Sequence, residues 1–429
     1  MKSTFTTLAL LFTAAAASAA VPEVTSVTLT QDGSTHKVKI AYTMTDAPAI
    51  VTVDIQTNGV SIGGQNLWHM SGDVNKLVAA KADDAYSIEW DAVKAWPDHK
   101  IKEATVRAVV TAWNTSCPPD YMAVDLVSGE RAYYPDEASV PGGVTGNDVY
   151  KSTVLLMRKI HAAGIPWQMG SIGEIGRSGS ETAHTVTLEN DYYMGVFPVT
   201  QAQWASVMGS YPSGAKYTTE RAYRPAEGVS YRHIRESADN TEVQANFYPR
   251  PPASGSFLAT LRGRTKDEVA FDLPGEAQWE FAARGGYGEG LWPDGSSMVY
   301  NYIYSTKTSQ TDANLNRLGV NSYNGGNSGT VAVGSLKPNG YGLYDVCGNV
   351  YEWCLDWYVD DISTLTKGEV NANGTAAVVG DNSSWKRVVR GGRCNMQPHS
   401  CRPAVRGTYS PSDMNKDIVH GFRVCVPLP

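Results

Sequence analysis

From Val24 to about Trp113 apolar and polar positions alternate with period two, in Val24-Thr-Ser-Val-Thr-Leu-Thr, Lys37-Val-Lys-Ile-Ala-Tyr, Ile50-Val-Thr-Val-Asp-Ile and Thr105-Val-Arg-Ala-Val-Val-Thr. Alternation bounded by Gly, Asp and Asn turns marks strands with one buried face. Several such strands in succession predict an all-β sandwich of immunoglobulin or fibronectin type over 20–116. No catalytic groups gather there, so the expected role is a spacer or docking module. The next segment, 117–150, holds Cys117-Pro-Pro and Pro141-Gly-Gly-Val-Thr-Gly, a turn-rich composition that reads as a linker. Over 151–429 the chain is rich in Gly, Asn, Trp and Tyr, with helices expected at Thr200-Gln-Ala-Gln-Trp-Ala-Ser-Val-Met, behind a threonine cap, and at Pro274 to Arg284. This pattern predicts an α+β domain of irregular loops packed around large rings.

The start changes the picture of where the chain works. A lysine at position 2, an apolar run from Leu8 to Ala17 and Ala17-Ser18-Ala19 have the form of a secretory signal peptide over 1–19. The expectation is an exported protein, whether periplasmic, surface-bound or extracellular. No later stretch has the ~18 apolar residues of a membrane span. The net charge of -7 argues against a nucleic-acid partner. Six cysteines in an exported chain favour disulfides, though sequence cannot choose the pairing. No HExxH zinc pattern and no phosphate loop is present, and Gly176-Arg-Ser178 lacks the closing glycine of a nucleophile elbow.

A series of ordered motifs then narrows the reading: Met169-Gly-Ser, Phe197-Pro-Val-Thr-Gln-Ala-Gln-Trp204, Pro225-Ala-Glu-Gly-Val-Ser230, Leu273-Pro-Gly-Glu-Ala-Gln-Trp-Glu-Phe, Pro338-Asn-Gly-Tyr-Gly-Leu-Tyr-Asp345, Gly348-Asn-Val-Tyr-Glu-Trp353, Val388-Val-Arg-Gly-Gly392 and Gly421-Phe-Arg423. In these the chain resembles the formylglycine-generating enzymes, or sulfatase-modifying factors. The resemblance implies a C-type-lectin-like domain over 151–429 with little regular secondary structure. It also implies copper(I) held by two cysteines, which oxidises a client cysteine of a sulfatase with oxygen; soft thiolates suit that ion.

Aligned on Gly391-Gly392, the second copper cysteine falls on Cys401. The first falls on Met396, and an active-site serine falls on Arg393. Cys394 lies close enough in sequence to stand in for the missing thiolate, and His399 is a further candidate ligand contact on the same loop. The alternative fate of Cys401 is a disulfide, with Cys354 as the suggested partner. The resemblance further implies calcium at Asp345, Gly348, Val350 and Glu352, and a second calcium at Asn314 and Leu315 with later ligands near Gly325 and Asn327. Calcium suits such mixtures of carboxylate, amide and carbonyl oxygens, while the competing reading of the first loop pairs Glu352 with an arginine. Two functions stay open: an oxidase for sulfatase-like clients with an altered copper site, or a pseudoenzyme that binds a peptide, protein or surface ligand on the same scaffold.

Overall fold

The computed structural model describes residues 21–99, 105–236, 251–325, 329–368, 386–413 and 419–429; the signal-peptide expectation and Asn327 fall outside them. Strands β1 (Glu23–Gln31), β2 (Val38–Thr45), β3 (Ala49–Thr57), β4 (Val60–Ser61), β5 (Met70–Gly72), β6 (Lys76–Val78), β7 (Ala85–Trp90) and β8 (Val106–Trp113) build the first unit. They form two antiparallel sheets, ordered β1-β2-β7-β5 and β4-β3-β6, with β8 added along β3. The alternation explains the layers. Val38, Ile40, Tyr42 and Met44 of β2 and Tyr86, Ile88 and Trp90 of β7 turn inward, and with Val51, Val53 and Ile55 of β3 they share one core. The helical turn α1 (Ala92–Ala95) follows β7, its cap being the Asp91 carboxylate, which accepts from Lys94 N.

The segment expected as a linker carries structure instead. Within it lie β9 (Tyr121–Asp125) and β10 (Arg131–Tyr134). Downstream come β11 (Val154–Ile160), the paired strands β12 (Pro166–Met169) and β13 (His184–Thr187), then β14 (Tyr192–Gly195). With β21 (Cys425–Pro427), they complete a sheet ordered β10-β9-β11-β14-β21. Tyr121 to Val124 are buried, so β9 is core, and the turn composition belongs only to its surroundings. Tyr133 N donates to Asn75 O at 2.9 Å, and Ile50 joins the same apolar cluster as Met122, which ties the two units together.

Both expected helices form. In α2 (Gln201–Met208) Thr200 Oγ1 accepts from Gln203 N while the Gln203 side chain accepts from Thr200 N, and Gly209 ends the helix at φ 79°. After the short α3 (Tyr231–Arg235) and α4 (Phe257–Arg264), α5 (Glu276–Arg284) starts where Gln278 Oε1 accepts from Gly275 N and stops at left-handed Gly285. Two-residue strands β15 (Tyr302–Ile303) and β16 (Thr308–Ser309) make an outlying pair. The last sheet, ordered β19-β18-β17-β20, joins β17 (Tyr351–Trp357), β18 (Arg387–Arg390), β19 (Arg406–Tyr409) and β20 (His420–Gly421), the last running parallel to β17. Every residue of β17 and β18 is buried, which removes the alternation that exposes a strand in sequence. The result is a mostly β, α+β molecule with few helices.

Rings fill the space between these sparse elements. Phe257 is fully buried, stacked on Trp204 at 5.2 Å and edge-on to Phe422 at 5.0 Å. Phe257→Ala is expected to cost about 3–5 kcal/mol of unfolding free energy, measured as a shift in the denaturant midpoint at unchanged slope.

Candidate functional site

Charged side chains at the centre of the domain are buried in pairs. Arg402 donates to Glu174 and, at 2.9 and 3.1 Å, to Glu181. Arg406 forks onto Glu276 at 2.6 and 3.0 Å. Glu280 takes Arg284 at 2.7 and 2.9 Å and also Arg390. Arg423 reaches Glu352 at 2.9 and 3.1 Å, and Trp279 Nε1 donates to the same carboxylate at 2.7 Å. Arg402, Arg406 and Arg423 thus lock distant segments together and frame the loop between them. The carboxylates Glu174, Glu181, Glu276 and Glu280 were not singled out in the sequence as ion-pair partners; the only local signal was the i,i+4 spacing of Glu280 and Arg284 on α5.

The loop 391–402 rests on this frame. Gly391 and Gly392 both adopt positive φ, and a Cβ at Gly392 would lie 2.9 Å from Cys401 Sγ. Cys394 N donates to Asn349 O, Ser322 N to Met396 O, and Ser309 N to the Gln397 side chain at 2.7 Å. Cys401 ends the turn Pro398–Cys401. Both loop cysteines are fully buried but belong to different apolar clusters: Cys394 packs with Val320, Val350 and Val419, and Cys401 with the cluster around Trp279 and Val388. Burial pushes the Cys394 thiol up to about 11 and the Cys401 thiol up to about 12. The disulfides expected in the sequence are not formed: all six cysteines are free thiols, and Cys354 Sγ lies 4.0 Å from the carbonyl of Glu352 on its own strand. Five of the six act as small apolar core side chains.

Met396 Sδ accepts the Tyr351 hydroxyl at 2.8 Å, and the Arg393 guanidinium stands 5.8 Å from the Tyr351 ring. His399 is not a bare loop residue. Its Nδ1 lies 3.0 Å from Ser309 Oγ, its Nε2 3.1 Å from Ser400 Oγ, and its ring meets Tyr302 edge-on at 5.0 Å. Burial, with Arg402 nearby, lowers its pKa.

The calcium candidates divide. Asn314 Oδ1 accepts from Arg317 at 3.1 Å, and Leu315 O accepts from Leu318 N at 2.8 Å and Gly319 N at 2.9 Å. A guanidinium and two amides therefore occupy what a cation would need, and this second set does not fit calcium. In the first loop Glu352 is committed to Arg423 and Trp279, as the arginine-paired reading had it. Asp345 differs: it is buried, adopts φ 57°, accepts from Gly334 N at 2.8 Å, and burial pushes its carboxyl up to about 6. A second unforeseen acid, Glu227, sits in the quoted Pro225-Ala-Glu-Gly motif. It is 1% exposed, its Oε2 has no hydrogen-bond partner, and burial pushes it up to about 7.

Residues 129–427, well over half the chain, match the model of the sulfatase-modifying factor enzyme 1-like domain. The chain belongs to the sulfatase-modifying factor family. This match covers every candidate residue described above. Two formylglycine-generating enzymes are similar: that of Thermomonospora curvata, 40% identical over 89 residues, which are 21% of this chain and 28% of that enzyme, and that of Bos taurus, 25% identical over 328 residues, covering 68% of this chain and 79% of the relative. The chain thus spans little more than a quarter of the Thermomonospora relative's length. Among solved structures, PvdO from Pseudomonas aeruginosa aligns at a TM-score of 0.47 and 22% identity, over 64% of this chain and 95% of PvdO.

The sulfatase-modifying factor domain should carry a pH signature at Asp345. Its folded pKa lies above the unfolded value near 3.8, so its share of stability is full below pH 4 and lost as pH rises through about 6. Asp345→Asn is expected to raise stability at pH 7.5, without added metal, by about 2–3 kcal/mol and to flatten the profile between pH 4 and 6; thermal denaturation across that range tests it.

Proposed function

We propose that this chain is a binding protein of the sulfatase-modifying factor family, in which the copper loop keeps its frame and has lost its oxidase chemistry. One observation carries the reading. At the position where the resemblance puts the first copper cysteine stands Met396, whose thioether already holds the Tyr351 hydroxyl. A thioether brings no negative charge, and the two nearby thiols are buried in separate apolar clusters with their pKa values raised. This donor set is a poor match for a two-thiolate copper(I) site. Its ligand is a client protein, a peptide or a surface-borne group. The family's action on sulfatase-like clients is the alternative, with Cys401 and Cys394 as its metal ligands.

Three further parts of the reading go with it. Calcium is assigned to the first loop alone, where Asp345 is a buried carboxylate that accepts from Gly334 N and the Asn349 amide, while Arg423 is hydrogen-bonded to Glu352. The N-terminal unit is read as an immunoglobulin- or fibronectin-like sandwich serving as spacer or docking module. Export rests on the form of residues 1–19, and no helix among the described residues is long and apolar enough to cross a membrane.

Copper(I) titration of the purified, mildly reduced protein is expected to give no tight uptake. Alkylation under native conditions should label exposed Cys117 and spare the buried five. Stoichiometric copper uptake that is lost in Cys394→Ala and Cys401→Ala would overturn the binding-protein reading. Calcium should raise the melting temperature of the wild type at neutral pH and leave Asp345→Asn unmoved; an equal rise in both would remove the first loop as its site.

A further inference from the structure

Away from loop 391–402, two depressions meet at Glu289. One, of about 370 Å³, is walled by Trp167, Tyr287 and Tyr341 over Phe281, with Gln168 at its rim. The other, of about 510 Å³, is lined by Ile172, Ile175, Met298 and Tyr300. The aromatic wall is built rather than incidental. A Cβ on Gly295 or Gly340 would lie 2.7 and 2.9 Å from opposite edges of the Tyr287 ring, so the two glycines let that ring lie flat and 37% exposed. Phe281 stacks beneath Tyr341 at 5.9 Å and meets Trp167 edge-on at 5.4 Å, which fixes the other two rings.

The charge at the junction is equally specific. Glu289 Oε1 accepts from Gly173 N, Glu174 N and Ser171 Oγ, and among the described residues Oε2 accepts from the Gln168 amide alone, at 3.3 Å. All these donors are neutral. Burial opposes ionisation, but the hydrogen bonds from the 171–174 loop outweigh it and hold the carboxyl below its usual range. Arg284 lines the same depression, yet its guanidinium is spent on Glu280 and on Gly170 O. The groove therefore presents an ionised carboxylate, with acceptor capacity left on Oε2, beside the exposed ring of Tyr287 and the half-buried rings of Trp167 and Tyr341. An ammonium is attracted by both features together, by Coulomb interaction with the acid and by the ring quadrupoles.

We propose that this groove binds the alkylammonium group of a lysine side chain on an extended partner segment, with the ammonium between Glu289 and Tyr287 and a neighbouring apolar side chain against Ile172 and Ile175. The proposal deepens the binding-protein reading by naming a partner chemistry and rests on it, but it uses none of the residues of the copper loop.

The test uses the full chain and short peptides by isothermal titration and ligand-observed NMR: acetyl-Ala-Lys-Leu-amide, and its neutral isostere with norleucine in place of lysine. Saturable binding of the lysine peptide is expected, at least roughly tenfold tighter than the isostere and weakened by added salt. Tyr287→Ala, at an exposed ring, should abolish most of it at an unchanged melting temperature. Glu289→Gln should reduce the preference for lysine, and if that variant loses its fold, Tyr287→Ala and the isostere still decide. Equal binding of both peptides, no binding of either, or binding of neutral oligosaccharides in their place would overturn the proposal. Copper uptake at loop 391–402 would refute the binding-protein reading while leaving these titrations unchanged, so the two failures are separable.

Discussion

Buried guanidinium–carboxylate pairs are the constraint on which this domain depends. Its helices have at most nine residues among those described and many of its strands four or fewer, so regular hydrogen bonding alone cannot fix where the long loops run. Arginine does so: Arg402 joins the turn after Cys401 to carboxylates 228 and 221 positions earlier, and Arg423 joins the C-terminal segment to β17 through Glu352. Bringing such charges out of water is expensive, and removing one partner of a buried pair costs about 3–5 kcal/mol because the other is left uncompensated. The forked geometry of Arg406 on Glu276 and of Arg402 on Glu181 admits few alternative registers, which makes the lattice a specifier of loop positions more than a source of net stability.

That lattice also explains how a loop can change while its setting persists. Gly391, Arg402 and Arg406 are held by backbone or by ion pairs outside the loop, so the entry and exit of the segment do not depend on residues 393, 394 and 396. Within those limits these residues settle by ordinary packing. Tyr351 gives its hydroxyl to the Met396 thioether, Arg393 lies near its ring, and Cys394 joins three valines. A sulfur buried among aliphatic groups is a good core side chain and a poor thiolate.

How far the sequence reveals this depends on which faces a segment buries. β1, β2 and β8 were legible because they meet water, and β3, buried throughout Ala49–Val53, because Thr52 and Asp54 still interrupt its apolar run. β7 shows the same alternation in Tyr86, Ile88 and Trp90 and was overlooked, a miss that the pattern itself could have prevented. β17 and β18 are buried on both faces and show no period, so only motif resemblance could place Glu352 and Arg390 there. β9 was hidden by the prolines beside it. Of the site, Gly391, Gly392, Arg390, Arg423 and Glu352 were readable from motifs, whereas the pairing of Arg402 and Arg406 with Glu174, Glu181 and Glu276 joins segments too far apart in the chain for any local pattern. The free state of the cysteines was also misread, because counting thiols says nothing about which of them pack as core.

Asp345 and Glu227 are buried acids with no guanidinium in hydrogen-bond contact, in a domain that pairs many of its interior carboxylates with arginine. Each has its carboxyl raised by burial, to about 6 and about 7, whereas Glu280, no less buried, is held low by Arg284 and Arg390 against the same desolvation. Desolvation acts on all three in the same direction; contact with two guanidiniums reverses it at Glu280, as neutral hydrogen bonds do at Glu289. A cation at Asp345 would therefore restore the pairing found elsewhere in the core. At Asn314 the place of a cation is already taken by the guanidinium of Arg317, which is itself paired with Asp294, so an ion there would have to displace it.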